Sequence, residues 1–379
     1  MRRWGVRVLA AVLAAAAAGY GTAWLTTDRF GASRAIAWLE ADTGDIDRFP
    51  ARTVRAGGPT LELPAGEPLD LARAWDLDDP EAFLSSTRTV AFLVVQDGTV
   101  RYERYLGDGD AGELRTSFSA AKSVVSTLIG LAVADGLIGS VDDPVTTYVP
   151  ELLATDDRFA AVTLRDLMTM SSGLCYDEQG LPWSDDAQTY YGTDLRRTAE
   201  SAEVCGPPGA TFLYNNYNPL LEGLVLERAT GTSVSEYLSA RLWGPMGAEA
   251  DASWSLDTRR SGFEKMESGL NAVARDYARF GLLFARGGRA GDRQVVPAEW
   301  VDAATSASAA GGAAPFYGFH WWTGTSDGAT FPPGHALAHG NFGQFVYVAP
   351  DRDVVIVRLG DDYGVDDWPV RLSRLAASL

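Results

Sequence analysis

Lysine is nearly absent from this chain of 379 residues. Of its 32 basic side chains only two, Lys122 and Lys265, are lysines. Cations are otherwise supplied by arginine, so a lysine at 122, three residues after Ser119, asks for a reason. Histidine is scarce too, with His320, His335 and His339 making the full set of three. With two cysteines and no HExxH or CxxC pattern, the chain lacks the ligand sets of zinc sites, and no metal or cofactor is expected. The formal net charge of -18 leaves no concentrated basic surface, which argues against a nucleic-acid partner. A hydrophobic content of 46% with 22% charged residues excludes global disorder. Internal repeats are lacking, and the alanine-rich leader is the one tract of low complexity.

That leader, MRRWGVRVLAAVLAAAAAGYGTAWLTTDRF, has a basic start at Arg2, Arg3 and Arg7 and an apolar run from Val8 to Leu25. It reads as a membrane anchor or as a cleaved signal over residues 1–28. Either reading places the rest of the chain outside the cytoplasm, as a membrane-tethered or secreted protein. In that setting Cys175 and Cys205 can form one disulfide, and two buried thiols are the alternative.

Residues 29–85 are rich in Gly, Pro and charge and read as an irregular lead-in. In TVAFLVVQDGTVRYERYLG two strand-forming runs flank an Asp97-Gly98 turn, which predicts a hairpin. From Ser119 to Leu137 the apolar spacing turns helical, with Gly136 as the stop. Residues 145–285 read as mostly helical with long loops. Strands return in GFHWWTG and in FVYVAPDRDVVIVRL, and a helix closes the chain. The economical picture is an α/β (α+β) fold in which an antiparallel sheet, assembled from both ends of residues 86–379, is flanked by helices. A mostly helical domain is inserted at about 145–285.

Three pieces carry chemistry. In SFSAAKSVVS, Ser119 and Lys122 stand three apart, on one face of a helix start. A buried lysine can surrender its proton and act as a base, which arginine cannot do. In YNNYN, Tyr214 can shuttle a proton, and Asn216 can hold a substrate carbonyl or orient the lysine. In AHGNFGQ, Gly340 and Gly343 let a strand approach a ligand closely and offer backbone N–H groups to an oxyanion. Each piece alone has a bland reading: a solvated helix lysine, a packed tyrosine with a turn asparagine, a glycine bulge. Ser326, in the Gly-x-Ser-x-Gly of GTSDG, leads into ATFPPG and not into a helix, so its context fails as a nucleophile elbow.

Together and in this order the three pieces resemble the serine β-lactamase and penicillin-binding-protein superfamily. The flanking text SFSAAKSVVSTLIGLAVADGLIGSVDDPVTTYVPEL, VTLRDLMTMSSGL and YGFHWWTG is similar to the class C β-lactamase-related branch. That branch includes D,D-peptidases, esterases and 6-aminohexanoate-dimer hydrolases, and the GQFVYVAPDRDVVIVRLG ending looks most like the last of these. The resemblance spans roughly residues 85–379. It implies a β-lactamase/transpeptidase-like fold and an ester or amide hydrolase acting on a small or peptide-like substrate. It implies Ser119 as nucleophile, Lys122 and Tyr214 as acid/base groups, and Asn216, His339, Gly340 and Gly343 as substrate contacts. A penicillin-binding D,D-peptidase or β-lactamase-like enzyme is the alternative. An exported homologue that only binds a ligand is the rival of another class. The third motif departs from the superfamily pattern: Ala338-His339-Gly340 stands where relatives have Lys or His, then Thr or Ser, then Gly. The cationic contact for a substrate carboxylate is therefore not assigned from sequence.

Overall fold

The computed structural model describes residues 2–27 and 31–379; within 2–27 the side chains of 2–4, 6, 20 and 22–27 fall outside the description. In chain order the strands are β1 (Ala51–Val54), β2 (Thr89–Gln96), β3 (Thr99–Tyr105), β4 (Arg115–Thr116), β5 (Ala252–Ser255) and β6 (Leu270–Ala272). They continue with β7 (Arg289–Ala290), β8 (Arg293–Gln294), β9 (Ala336–Gly340), β10 (Gln344–Ala349) and β11 (Val354–Gly360). The main sheet has the order β3-β2-β11-β10-β9 and is antiparallel throughout. The two ends of the chain thus supply one sheet, as the sequence suggests. The β2–β3 hairpin turns at Asp97 and Gly98, both with positive φ (52° and 73°), which fits a two-residue turn matched to the strand twist.

Period-two alternation sorts the sheet's side chains onto two faces. On β2, Ala91, Leu93 and Val95 enter the large core, while Phe92 and Val94 enter a second one. On β11, Val355 and Val357 join the first and Val354 and Ile356 the second. The large core lies under the helices Ala121–Ala134, Tyr217–Thr230 and Ala274–Ala285. The smaller one is closed by the C-terminal helix Trp368–Ser378.

Residues 145–285 hold helices and long loops, and they also carry β5 and β6, which the sequence reading did not single out, in a second sheet of order β1-β5-β6-β4. The lead-in contributes β1 to it and so is part of the fold. These strands are three and four residues long, too short to show periodicity. One expectation is corrected: GFHWWTG, read as a strand, is not one. His320 sits at φ 59° in a turn, and single bridges join Tyr317 to Trp322 and Trp322 to Leu337. The remaining helix signals are found as expected: Thr163 caps Leu164–Met168 in a capping box, and Gly231 (φ 70°) ends Tyr217–Thr230.

The expected anchor or signal over residues 1–28 falls in part on residues outside the description. A helix runs over Arg2–Thr27, and among the described residues no helix is long and apolar enough to cross a membrane.

Candidate active site

Ser119 lies in a 3-10 turn, Phe118–Ala120, that feeds directly into the helix Ala121–Ala134. Phe118 carries φ 44°, a left-handed value that strains a side chain with a Cβ and that clusters at functional turns. Twelve of the fourteen residues of the following helix are buried, Lys122 among them. Lys122 is 1% exposed. Its Nζ donates to Ser119 Oγ at 2.8 Å and to the main-chain oxygen of Glu267 at 2.9 Å. Burial lowers its pKa from 10.5 to about 8, against the pull of Glu267, Asp186, Glu222 and Glu178.

Tyr214 leans over the same lysine, with Nζ 5.0 Å from the ring centroid. Its ring stacks on Trp322 at 5.9 Å and meets Tyr317 edge-on at 6.3 Å. Burial pushes the phenol well up, and a hydrogen bond with Ser119 pulls the other way. The phenol is therefore protonated at neutral pH, a proton carrier rather than a base. Behind it, buried His320 sets Nε2 against both oxygens of buried Glu222, at 3.0 and 2.9 Å.

The glycine-rich segment closes the other side. A Cβ on Gly340 would stand 2.0 Å from the main-chain oxygen of Ser117, so only glycine lets β9 come this close to the serine turn. Gly343 (φ 76°) ends a 3-10 turn, Asn341–Gly343, in which Phe342 also has positive φ. The buried Arg358 supports that turn from beneath, donating to the carbonyls of Phe342 and Gly343 at 3.1 and 2.8 Å. Ser119, Asn216, Asn341, Phe342 and Glu267 are among the residues lining one cleft of about 380 Å³.

The remaining residues singled out from sequence are placed as follows. Asn216 is at the cleft, and its amide reaches Thr189 Oγ1 (3.3 Å) and Asp186 Oδ1 (3.5 Å). His339 points away from Ala338, which is fully buried in the large core. The His339 ring packs on Phe345, its Nε2 lies 3.2 Å from the Tyr363 hydroxyl, and burial lowers its pKa from 6.5 to about 4. It is neutral at physiological pH and lines a different cleft together with Ser326. Cys175 and Cys205 are joined in a disulfide. It ties off the segment between them, which supplies Leu181, Ser184, Asp186 and Tyr190 to the wall of the Ser119 cleft. Sequence reasoning missed that wall, the contribution of Ala35 and Leu39, and the buried pair Lys265–Glu267. The scarcity of lysine was a signal that could have flagged Lys265. Among the described residues no cluster of acidic, histidine or cysteine side chains could hold a metal.

Comparisons with known proteins bear on the family and the fold. A family model described as beta-lactamase matches residues 81–372. The 6-aminohexanoate-dimer hydrolase of Paenarthrobacter ureafaciens is 28% identical over 358 residues, covering 88% of this chain and 85% of that one. A Bacillus anthracis structure assigned to the 6-aminohexanoate-dimer hydrolases superposes with a TM-score of 0.76 at 24% identity, over 90% of this chain and 92% of that one. A family VIII carboxylesterase superposes with a TM-score of 0.61 at 17% identity, over 83% and 99%.

Proposed function

The chain belongs to the beta-lactamase family, and from that premise we propose a serine hydrolase that opens an ester or amide through an acyl-enzyme on Ser119. The observation that carries the reading is the 2.8 Å contact between Ser119 Oγ and a buried Lys122 whose pKa is lowered to about 8. Neutral Lys122 takes the Ser119 proton as Oγ attacks the carbonyl carbon. The N–H groups of Ser119 and of the Asn341–Gly343 turn hold the oxyanion. The proton passes through Tyr214 to the leaving alcohol or amine, whose bond to the carbonyl breaks. Water then attacks the acyl-enzyme, gives its proton to the same pair, and frees the acid with Ser119 restored.

An ester or linear amide is favoured over a β-lactam. With Ala338 buried in the core and His339 neutral, the third motif offers no cation for a β-lactam carboxylate. The relative named for 6-aminohexanoate-dimer hydrolysis supports including linear amides. Labelling by a fluorophosphonate, mapped to Ser119 by peptide mass spectrometry, tests the nucleophile. Labelling of Ser119→Ala at the wild-type level would discard the reading.

We also propose that residues 1–28 export the chain, as anchor or as signal. The basic start and the Cys175–Cys205 disulfide support this, since disulfides persist in oxidising compartments. N-terminal sequencing after cell fractionation tests it. An intact chain in the cytosol is the contrary result.

A further inference from the structure

Behind the Ser119 cleft lies a buried pair that the acyl-transfer scheme does not use. Glu222 and His320 are 0% and 2% exposed, and His320 Nε2 meets both carboxylate oxygens, at 3.0 and 2.9 Å. Taking such groups out of water is costly, and apolar residues in the same space are often as stable. What the pair joins gives it a use. Glu222 follows Tyr214 on the helix Tyr217–Thr230, which the Tyr214 loop feeds. His320 lies in the turn that carries Tyr317 and Trp322, the two rings packed against Tyr214. Those rings also meet each other edge-on at 4.9 Å. An ionised Glu222 can only accept, so Nε2 carries the ring proton. Nδ1 then accepts from the Tyr317 hydroxyl at 3.4 Å, and burial keeps that phenol protonated. The main-chain oxygen of His320 accepts from Ser123 Oγ at 2.6 Å, one residue after Lys122. One residue thus ties together the Tyr214 helix, the Lys122 helix and the aromatic turn. His320 does so at φ 59°, an uncommon backbone for a residue with a Cβ and one that collects at functional sites.

We propose that His320, anchored by Glu222, is a positioning residue that holds the Tyr214 phenol in line with the leaving group, acting through the Tyr317 and Trp322 rings. His320 itself does not line the Ser119 cleft. The proposal rests on the acyl-transfer reading above, in which Tyr214 delivers the proton to the leaving group. A misplaced phenol therefore harms a leaving group that needs that proton and spares one that departs as an anion.

The test uses the full chain and two esters of one acid: p-nitrophenyl butyrate, whose nitrophenolate leaves unaided, and ethyl butyrate, whose ethoxide must be protonated. The readout is the ratio of kcat/KM for the nitrophenyl ester over the ethyl ester. Tyr214→Phe is the reference and should raise that ratio by about a hundredfold. The double variant Glu222→Gln/His320→Asn replaces both partners, so that no buried charge is left unpaired, and asparagine accepts the left-handed backbone. It should raise the ratio by about tenfold, chiefly through kcat on the ethyl ester. Tyr317→Phe, which loses only the hydroxyl facing His320, should raise it by about threefold. Thermal melts check the fold. A loss shared equally by both esters is what a merely structural role gives, so an unchanged ratio in the folded double variant overturns the proposal. Where that variant does not fold, an unchanged ratio in Tyr317→Phe overturns it. A wild type that cleaves neither ester, or a Tyr214→Phe ratio equal to the wild type's, overturns the acyl-transfer reading and this proposal with it.

Discussion

Titration of Lys122 ought to set the acid limb of the pH–rate profile. The structure lowers its pKa from 10.5 to about 8 through burial. At pH 7 about one molecule in ten would then hold a neutral lysine, against about one in three thousand for an unperturbed one, a gain of about 300-fold. Ester hydrolysis followed from pH 5.5 to 9.5 is expected to rise about tenfold per unit below pH 8 and to level off above it. Lys122→Arg keeps a charge that cannot leave, and should lose about a thousandfold in kcat/KM. The same burial has a stability consequence. Between about pH 8 and 10.5 the unfolded chain binds the proton that the folded one has lost, so stability rises with pH across that window. Below pH 8 both states are protonated and the full cost, ~3 kcal/mol, remains. Lys122→Met removes that cost and loses two hydrogen bonds worth ~1 kcal/mol each. It should be inactive yet more stable than wild type by ~1 kcal/mol at pH 7, with the gain gone by about pH 9 and turned into a deficit of ~2 kcal/mol above about pH 10.5. A rate profile flat from pH 6 to 9, or Lys122→Arg retaining a tenth of the activity, refutes the assignment of Lys122 as base.

Two further outcomes are expected. Tyr214→Phe keeps the ring that stacks on Trp322 and removes the proton carrier, so kcat should fall by about 10² or more with KM little changed, as steady-state kinetics will show. Reducing Cys175–Cys205, which are 30 residues apart, should cost about 3–4 kcal/mol in denaturant titrations; it should also raise KM, because the tied segment walls the cleft.

What was legible in the sequence follows from how each feature is encoded. The main sheet was readable because its strands are long, apolar and bounded by turns with a distinct chemistry, such as Asp97-Gly98. The second sheet was not, because β5 and β6 are specified by partners more than a hundred residues away in β1 and β4. Ser119 and Lys122 were readable because their contact is local, three residues apart on one helix start. The 3-10 geometry of Phe118–Ala120 was not, since it is imposed from outside: β9 presses against Ser117 at Gly340. His339 shows the same limit in reverse. Its place in the motif invited a cationic role, but strand alternation turns it from the core that holds Ala338, and burial among Phe345 and Tyr363 keeps it neutral.

The scarcity of lysine joins these threads. Arginine can be buried, as Arg358 is, but it is unsuited as a base because its guanidinium cannot be deprotonated in a protein. Lys122 meets that requirement directly. Lys265 does not act as a base in the scheme: its ammonium is paired with Glu267 and capped by two aromatic rings. Its use of lysine has a steric reason instead. A compact ammonium fits between Tyr190, Phe49 and one carboxylate oxygen of Glu267, a space that the planar fork of arginine does not match.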